Sequence, residues 1–234
     1  MKPYTSVAVA LGLAASACGY TGQARALTPE AWKAEQGWIS ADHVNVRHQR
    51  AEYDCGPTAL QMVFDHFCPD KAPMTAAGFG ENRRVSAGEL RDRARQLGFA
   101  AYVVAGTFQD IEHELSQNRP VIVGVAKPVG KKKAVAHYEV VVGIAPKQNR
   151  IALIDPQDGL RQNSFAGFLE EWIPAKRLMI VLMPTRQMNV CSAASGRQAA
   201  PLRRPGTTGS GSRASTTRSR AAATSARYDA AHRR

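Results

Sequence analysis

The sequence predicts an α+β domain, with helices from its first half packed on an antiparallel sheet formed largely by its second half. Two observations carry that prediction. Apolar residues recur at helical spacing between residues 55 and 118, and after Pro120 the chain turns to β-branched runs broken by polar connections. Helices first and a run of strands afterwards is an α+β order, not a βαβ alternation.

The segment from about 27 to 45 is a short lead-in whose Trp32 and Trp38 are expected to pack onto the domain. A helix follows from about Cys55 to Phe67, because Leu60, Val63, Phe64 and Phe67 fall on one continuous apolar stripe. Asp54 can cap it, Gly56-Pro57 suits a first turn where a missing N–H costs nothing, and Pro69 ends it. Ser86-Ala87-Gly88-Glu89 spells a capping box for a second helix, which reaches Leu97 and is stopped by Gly98. Ala100 to Val104 reads as a strand, and Thr107-Phe108-Gln109-Asp110 opens a third helix to about Asn118. Val121 to Ala126, His137 to Ile144 and Arg150 to Ile154 are three strands, with Lys131-Lys132-Lys133 and Lys147-Gln148-Asn149 as connections. Ser164 starts a short helix to Trp172, and Leu178 to Met183 is the last strand.

The two ends differ from this middle. Residues 1–26 read as an export signal: Lys2 supplies positive charge and Val7 to Ala17 is an apolar run too short to span a membrane. Cleavage sites follow Ala15-Ser16-Ala17 and Ala24-Arg25-Ala26. Because Cys18 follows the first, Ala-Ser-Ala-Cys also spells a bacterial lipoprotein box, with Cys18 lipidated and the protein membrane-anchored; otherwise it is periplasmic. Residues 186–234 hold ten Arg and one acid, Asp229, so the tail accounts for +9 of the formal net charge of +12. The folded part, 27–185, is therefore nearly neutral, which excludes a basic nucleic-acid-binding face. The tail has no apolar period and is expected to be disordered. Of four cysteines, Cys68 and Cys191 can pair in an oxidising compartment, although Cys68 alone reads as a small hydrophobe at a helix end.

Cys55 is the cysteine whose surroundings ask for an explanation. A nucleophilic thiol needs thiolate character, a base or cation beside it, and access. At a helix N-terminus the free N–H groups and the macrodipole favour negative charge. His137, at the start of a strand, can reach such a terminus, and Asp155 ends the strand after it. In a hairpin, the Asp155 carboxylate would hold the imidazole by its second nitrogen. Gln49, in the loop before Cys55, is a candidate oxyanion donor. Each has a commonplace reading: a buried helix-start cysteine, a strand histidine, an Asp-Pro turn and a loop glutamine.

The joint pattern is more specific. Gln49 through Met62, as Gln-x5-Cys-Gly-Pro-Thr-Ala-Leu-x-Met, resembles the nucleophile motif of the bacteriocin-processing, double-glycine leader peptidases. The resemblance continues through His137-Tyr138-x-Val-Val-Val-Gly-Ile, through Ile154-Asp155-Pro156 with Gly159, and through Phe165 to Trp172, covering about 45 to 184. It implies a papain-like cysteine peptidase fold, with Cys55 as nucleophile, His137 as base and then acid, Asp155 as orienter, and Gln49 with the Cys55 N–H as oxyanion hole. No metal or other cofactor is implied, and the expected partner is a peptide or protein substrate. Relatives of this kind are often fused to exporters that bind ATP, whereas no Gly-x4-Gly-Lys-Ser/Thr loop occurs here and the export signal points outward. Double-glycine specificity is thus left open. So are two other outcomes: acyl or peptidyl transfer by the same residues, and a non-catalytic peptide-binding domain of the same fold.

Overall fold

The computed structural model describes residues 22–69, 79, 83–130 and 133–185. The expected export signal up to residue 21 with Cys18, Lys131 and Lys132, and the tail with Cys191 lie outside the described residues. The elements run β1 (Arg25–Ala26), α1 (Pro29–Ala34), β2 (Ile39–Ser40), α2 (Cys55–Phe67), α3 (Ala87–Gln96), β3 (Phe99–Ala105) and α4 (Phe108–Ser116), then β4 (Val121–Val129), β5 (Lys133–Ala145), β6 (Arg150–Asp155), β7 (Gly159–Ser164), α5 (Phe165–Trp172) and β8 (Leu178–Pro184). The α+β order read from the sequence is the observed one. No described helix is long and apolar enough to cross a membrane.

Local chemistry explains the helix starts. Ser86 and Glu89 cap α3 reciprocally, and Thr107 and Asp110 do the same for α4. Gly98 takes a φ of +97° directly after α3, a conformation in which a Cβ would be strained.

All the strands pair antiparallel, in the order β1-β7-β6-β5-β4-β8-β3, with β2 pairing β5 beyond the end of β4. Alternation along β5 and β6 builds two apolar layers. Val140, Val142, Ala152 and Ile154 face a cluster that includes Leu60, Val63 and Phe64 of α2 and Leu90 of α3. Val141, Ile151 and Leu153 face the other way, among Ile111 and Leu115 of α4 and Phe168 and Trp172 of α5. Trp32 and Trp38 pack edge-to-face at 6.4 Å against the α2 layer, as the lead-in reading expects.

The lead-in reaches further back than 27. Arg25 and Ala26 pair with Gln162 and Arg161 of β7, and the Leu27 N–H donates to the Leu160 carbonyl at 3.1 Å. This short edge strand, with β2, β7 and α1, had no periodicity from which to be read. Cys68 is buried at the C-cap of α2 and disulfide-bonded, its partner lying outside the described residues.

Candidate active site

Cys55 is the first residue of α2 and a free thiol. Asp54 occupies the N-cap position but makes no side-chain cap bond. The first N–H groups of α2 are therefore not spent on that carboxylate, and the Gly56 N–H hydrogen-bonds the Cys55 sulfur. The sulfur lies against an open stretch of strand edge. β6 pairs with β5 only as far back as Val140, opposite Ile154, so β5 has no β6 partner over the residues before it. There the Tyr138 N–H also bonds the Cys55 sulfur.

His137 stands one residue earlier on β5 and is buried. Its Nε2 is 2.8 Å from Asp155 Oδ1, and its ring hydrogen-bonds the Cys55 thiol, which leaves Nδ1 as the nitrogen for sulfur. Asp155 Oδ1 also accepts from the Gln157 N–H at 2.8 Å and the Asp158 N–H at 3.4 Å, so the turn after β6 orients the carboxylate that orients the ring. The hairpin inferred from the sequence is what sets these residues side by side.

The charges follow from this chain of contacts. Burial alone would raise the Cys55 pKa, but the hydrogen bond and charge of His137, with the Tyr138 and Gly56 N–H groups, outweigh it and lower it. Burial alone would lower the His137 pKa; the bonds to Asp155 and Cys55 outweigh it and push it up to about 10. Burial alone would raise that of Asp155, yet the His137 bond and charge hold it well below the usual carboxylate range. The arrangement therefore favours a thiolate beside an imidazolium, the reactive form of a cysteine nucleophile.

Gln49 is brought to the same place. Its backbone N–H donates to the Pro156 carbonyl at 2.8 Å, tying the loop before α2 to the turn after Asp155. Arg47, two residues before it, is ion-paired with Asp65 of α2. The side-chain Nε2 of Gln49 donates to the Ala51 carbonyl at 3.2 Å and more weakly to that of Glu52 at 3.5 Å. Giving up the longer contact would leave an amide hydrogen for the cleft.

Cys55, His137 and Gln49 line one cleft of about 580 Å³. Its apolar wall includes Val85, Val125, Val135 and Leu178, and at its rim the Arg84 guanidinium lies 5.0 Å over the Tyr53 ring.

A buried charged group behind His137 escaped the sequence reading. Lys127 of β4 lies 2.6 Å from Glu139 of β5 and 3.0 Å from Glu171 of α5. The legible signal was a glutamate two residues after His137 within a β-branched run, on the same face of the strand. His137, Glu139 and Asp155 also present ligand atoms within 4.8 Å of one another, but the Lys127 ammonium already fills the role of cation there.

Residues 43–186, more than half of the chain, match the sequence profile of the Peptidase C39 family. The chain belongs to this family. It is a cysteine peptidase with a papain-like fold, as the resemblance seen in the sequence implied. Among solved structures, the peptidase domain of Streptococcus ComA, a bi-functional ABC transporter involved in a quorum-sensing pathway, is 26% identical; the match covers 61% of this chain and 100% of that one, with a TM-score of 0.49. The double-glycine motif protease of an AMS/PCAT transporter, solved with its leader peptide, is 19% identical over 62% and 94% of the two chains, with a TM-score of 0.49. A C39-like peptidase from Bacillus anthracis is 14% identical over 63% and 98%, with a TM-score of 0.47. A search of curated proteins finds no match to the sequence.

Proposed function

We propose that this C39 peptidase is an exported endopeptidase in which Cys55 is the nucleophile, His137 the base and then acid, and Asp155 the orienter. The observation that carries the reading is the unbroken contact chain from the Cys55 thiol through His137 to Asp155, opening on a cleft. The thiolate attacks the peptide carbonyl, forming a C–S bond and an oxyanion. Collapse breaks the C–N bond as His137 gives its proton to the leaving amine. Water, deprotonated by His137, then attacks the thioester; the C–S bond breaks, the carboxylic acid product leaves, and the thiolate beside an imidazolium is restored.

A generic test uses a library of internally quenched peptides and the masses of the products. Hydrolysis adds water across the cleaved bond, and transfer adds the acceptor amine instead. Cleavage lost in Cys55→Ala is expected. Equal cleavage by both proteins would remove the assignment.

The Gln49 amide and the Cys55 N–H form the proposed oxyanion hole, with Gln49 releasing its longer carbonyl contact as substrate enters. Gln49→Ala is expected to lower kcat by about 100- to 1000-fold while iodoacetamide still alkylates Cys55 readily. Equal loss of turnover and alkylation would make Gln49 a structural residue.

Two features support the export reading. A disulfide at Cys68 suits an oxidising compartment. Signal cleavage after Ala26 would remove β1, whereas cleavage after Ala17 keeps it and leaves Cys18 at the new N-terminus. Mass spectrometry of protein recovered from an exporting bacterium is expected to find a first residue at Cys18, with lipid attached. A mature chain starting at Leu27 would contradict this.

A further inference from the structure

The buried Lys127 group poses an energetic question. Lys127, Glu139 and Glu171 are each at most 4% exposed on their side chains, between the sheet and α5. Taking such charges out of water is costly, and apolar side chains of similar volume often stabilise a fold as well or better. Stability alone is therefore a poor account of this group.

Its geometry offers another. Asp155 uses Oδ1 for His137 and for the Gln157 and Asp158 N–H groups, while its Oδ2 lies 3.9 Å from the Lys127 ammonium. Lys127 is held from two sides, by Glu139 at 2.6 Å from the strand that carries His137 and by Glu171 at 3.0 Å from α5. Gly22 lies close against the Glu171 carboxylate: a Cβ there would come within 2.2 Å of its Oε1 and push it.

The need for a second cation arises during turnover. When His137 passes its proton to a leaving amine, Asp155 loses the positive charge at its Oδ1. A buried carboxylate without a countercharge tends to take up a proton, and an orienting carboxylate must not do so. Lys127 keeps its charge throughout, because it takes no part in the proton transfers.

We propose that Lys127 is a positioning residue: its ammonium, clamped by Glu139 and Glu171, keeps Asp155 ionised and its Oδ1 turned to His137 while the imidazole is neutral. This rests on the reading of His137 and Asp155 as base and orienter.

The test uses the full chain and a quenched peptide chosen from a library for Cys55-dependent cleavage, with active thiol titrated by iodoacetamide. Lys127→Met/Glu139→Gln/Glu171→Gln removes the ammonium together with its two clamping carboxylates, so that of its three carboxylate neighbours Asp155 alone is left charged without it. Its kcat per active thiol is expected to fall at least ~10-fold with KM nearly unchanged, and in an Asp155→Asn background the same changes should add less than about 2-fold. A kcat per thiol equal to wild type, or an undiminished loss in the Asp155→Asn background, would overturn the proposal. Should the triple variant not fold, Glu171→Gln alone loosens one clamp; a drop of a few-fold that vanishes with Asp155→Asn is expected, and no drop overturns it. Peptide cleavage that survives Cys55→Ala, or wild-type kcat in Asp155→Asn, would overturn the underlying reading and this proposal with it. Cys55-dependent cleavage indifferent to Lys127 overturns this proposal alone.

Discussion

His137→Ala is expected to fold and to bind peptide, but to lose turnover by on the order of 10⁴-fold or more. Folding should survive because Asp155 keeps the Gln157 and Asp158 N–H groups and the Lys127 charge. The thiol itself should change character. In the native protein the Cys55 pKa is lowered and that of His137 is raised to about 10, so iodoacetamide alkylation is expected to remain fast at pH 6. Without the His137 bond and charge, the desolvation of Cys55 should pull its pKa back up, and alkylation at pH 6 should become slow, as for an ordinary or raised thiol. Unchanged alkylation at pH 6 in the variant would sink the ion-pair reading. Linkage gives His137 and Asp155 a signature in stability. The raised His137 contributes fully below its unfolded pKa of about 6.5, and the contribution is lost as pH rises through about 10. The lowered Asp155 contributes above its unfolded pKa of about 3.9, and that share is lost as pH falls.

Trp172→Ala is expected to destabilise the fold by about 3–5 kcal/mol, a large part of the roughly 5–15 kcal/mol that holds a typical domain together. Trp172 is fully buried and packs on Phe168 at 5.0 Å and Phe108 at 6.1 Å. Its Nε1 donates to the Leu178 carbonyl at 2.9 Å, and Leu178 is part of the cleft wall. The damage should therefore reach function below the melting temperature, as a raised KM in protein that is still folded. Chemical denaturation checks the stability, and kinetics at low temperature check the KM. A midpoint within error of wild type would mean that the α5 layer repacks around the loss.

The fold was legible where a local rule and the buried surface agreed. The stripe on α2, the capping boxes at Ser86 and Thr107 and the β-branched runs from Val121 to Ile154 all correspond to observed elements. What escaped was structure whose reason lies elsewhere in the chain. β1 and β2 are two residues each and exist because β7 and β5 offer free edges. β7, with Arg161, Gln162 and Asn163 in succession, lacks the alternation that marks a half-buried strand. For the candidate site, Cys55, His137 and Asp155 were each legible as residue types, and the hairpin joined the last two. Asp54 shows the limit of such reading: the right residue stands at the N-cap, but its carboxylate makes no cap bond. Lys127 shows another, since its carboxylate partners come from β5 and α5 and no spacing in sequence links them.

The early end of the β5–β6 ladder carries a consequence for how this architecture can vary. Val140 and Ile154 are the last partners, and the thiolate uses the Tyr138 N–H that one more cross-strand bond would need. Strand and sulfur compete for the same donor. A change that zipped the hairpin further toward Lys133, without altering any candidate catalytic residue, would displace the sulfur and silence the enzyme. The number of rungs in this ladder thus decides whether the Tyr138 N–H is left for the Cys55 sulfur, and it is tunable from the hairpin rather than from the cleft.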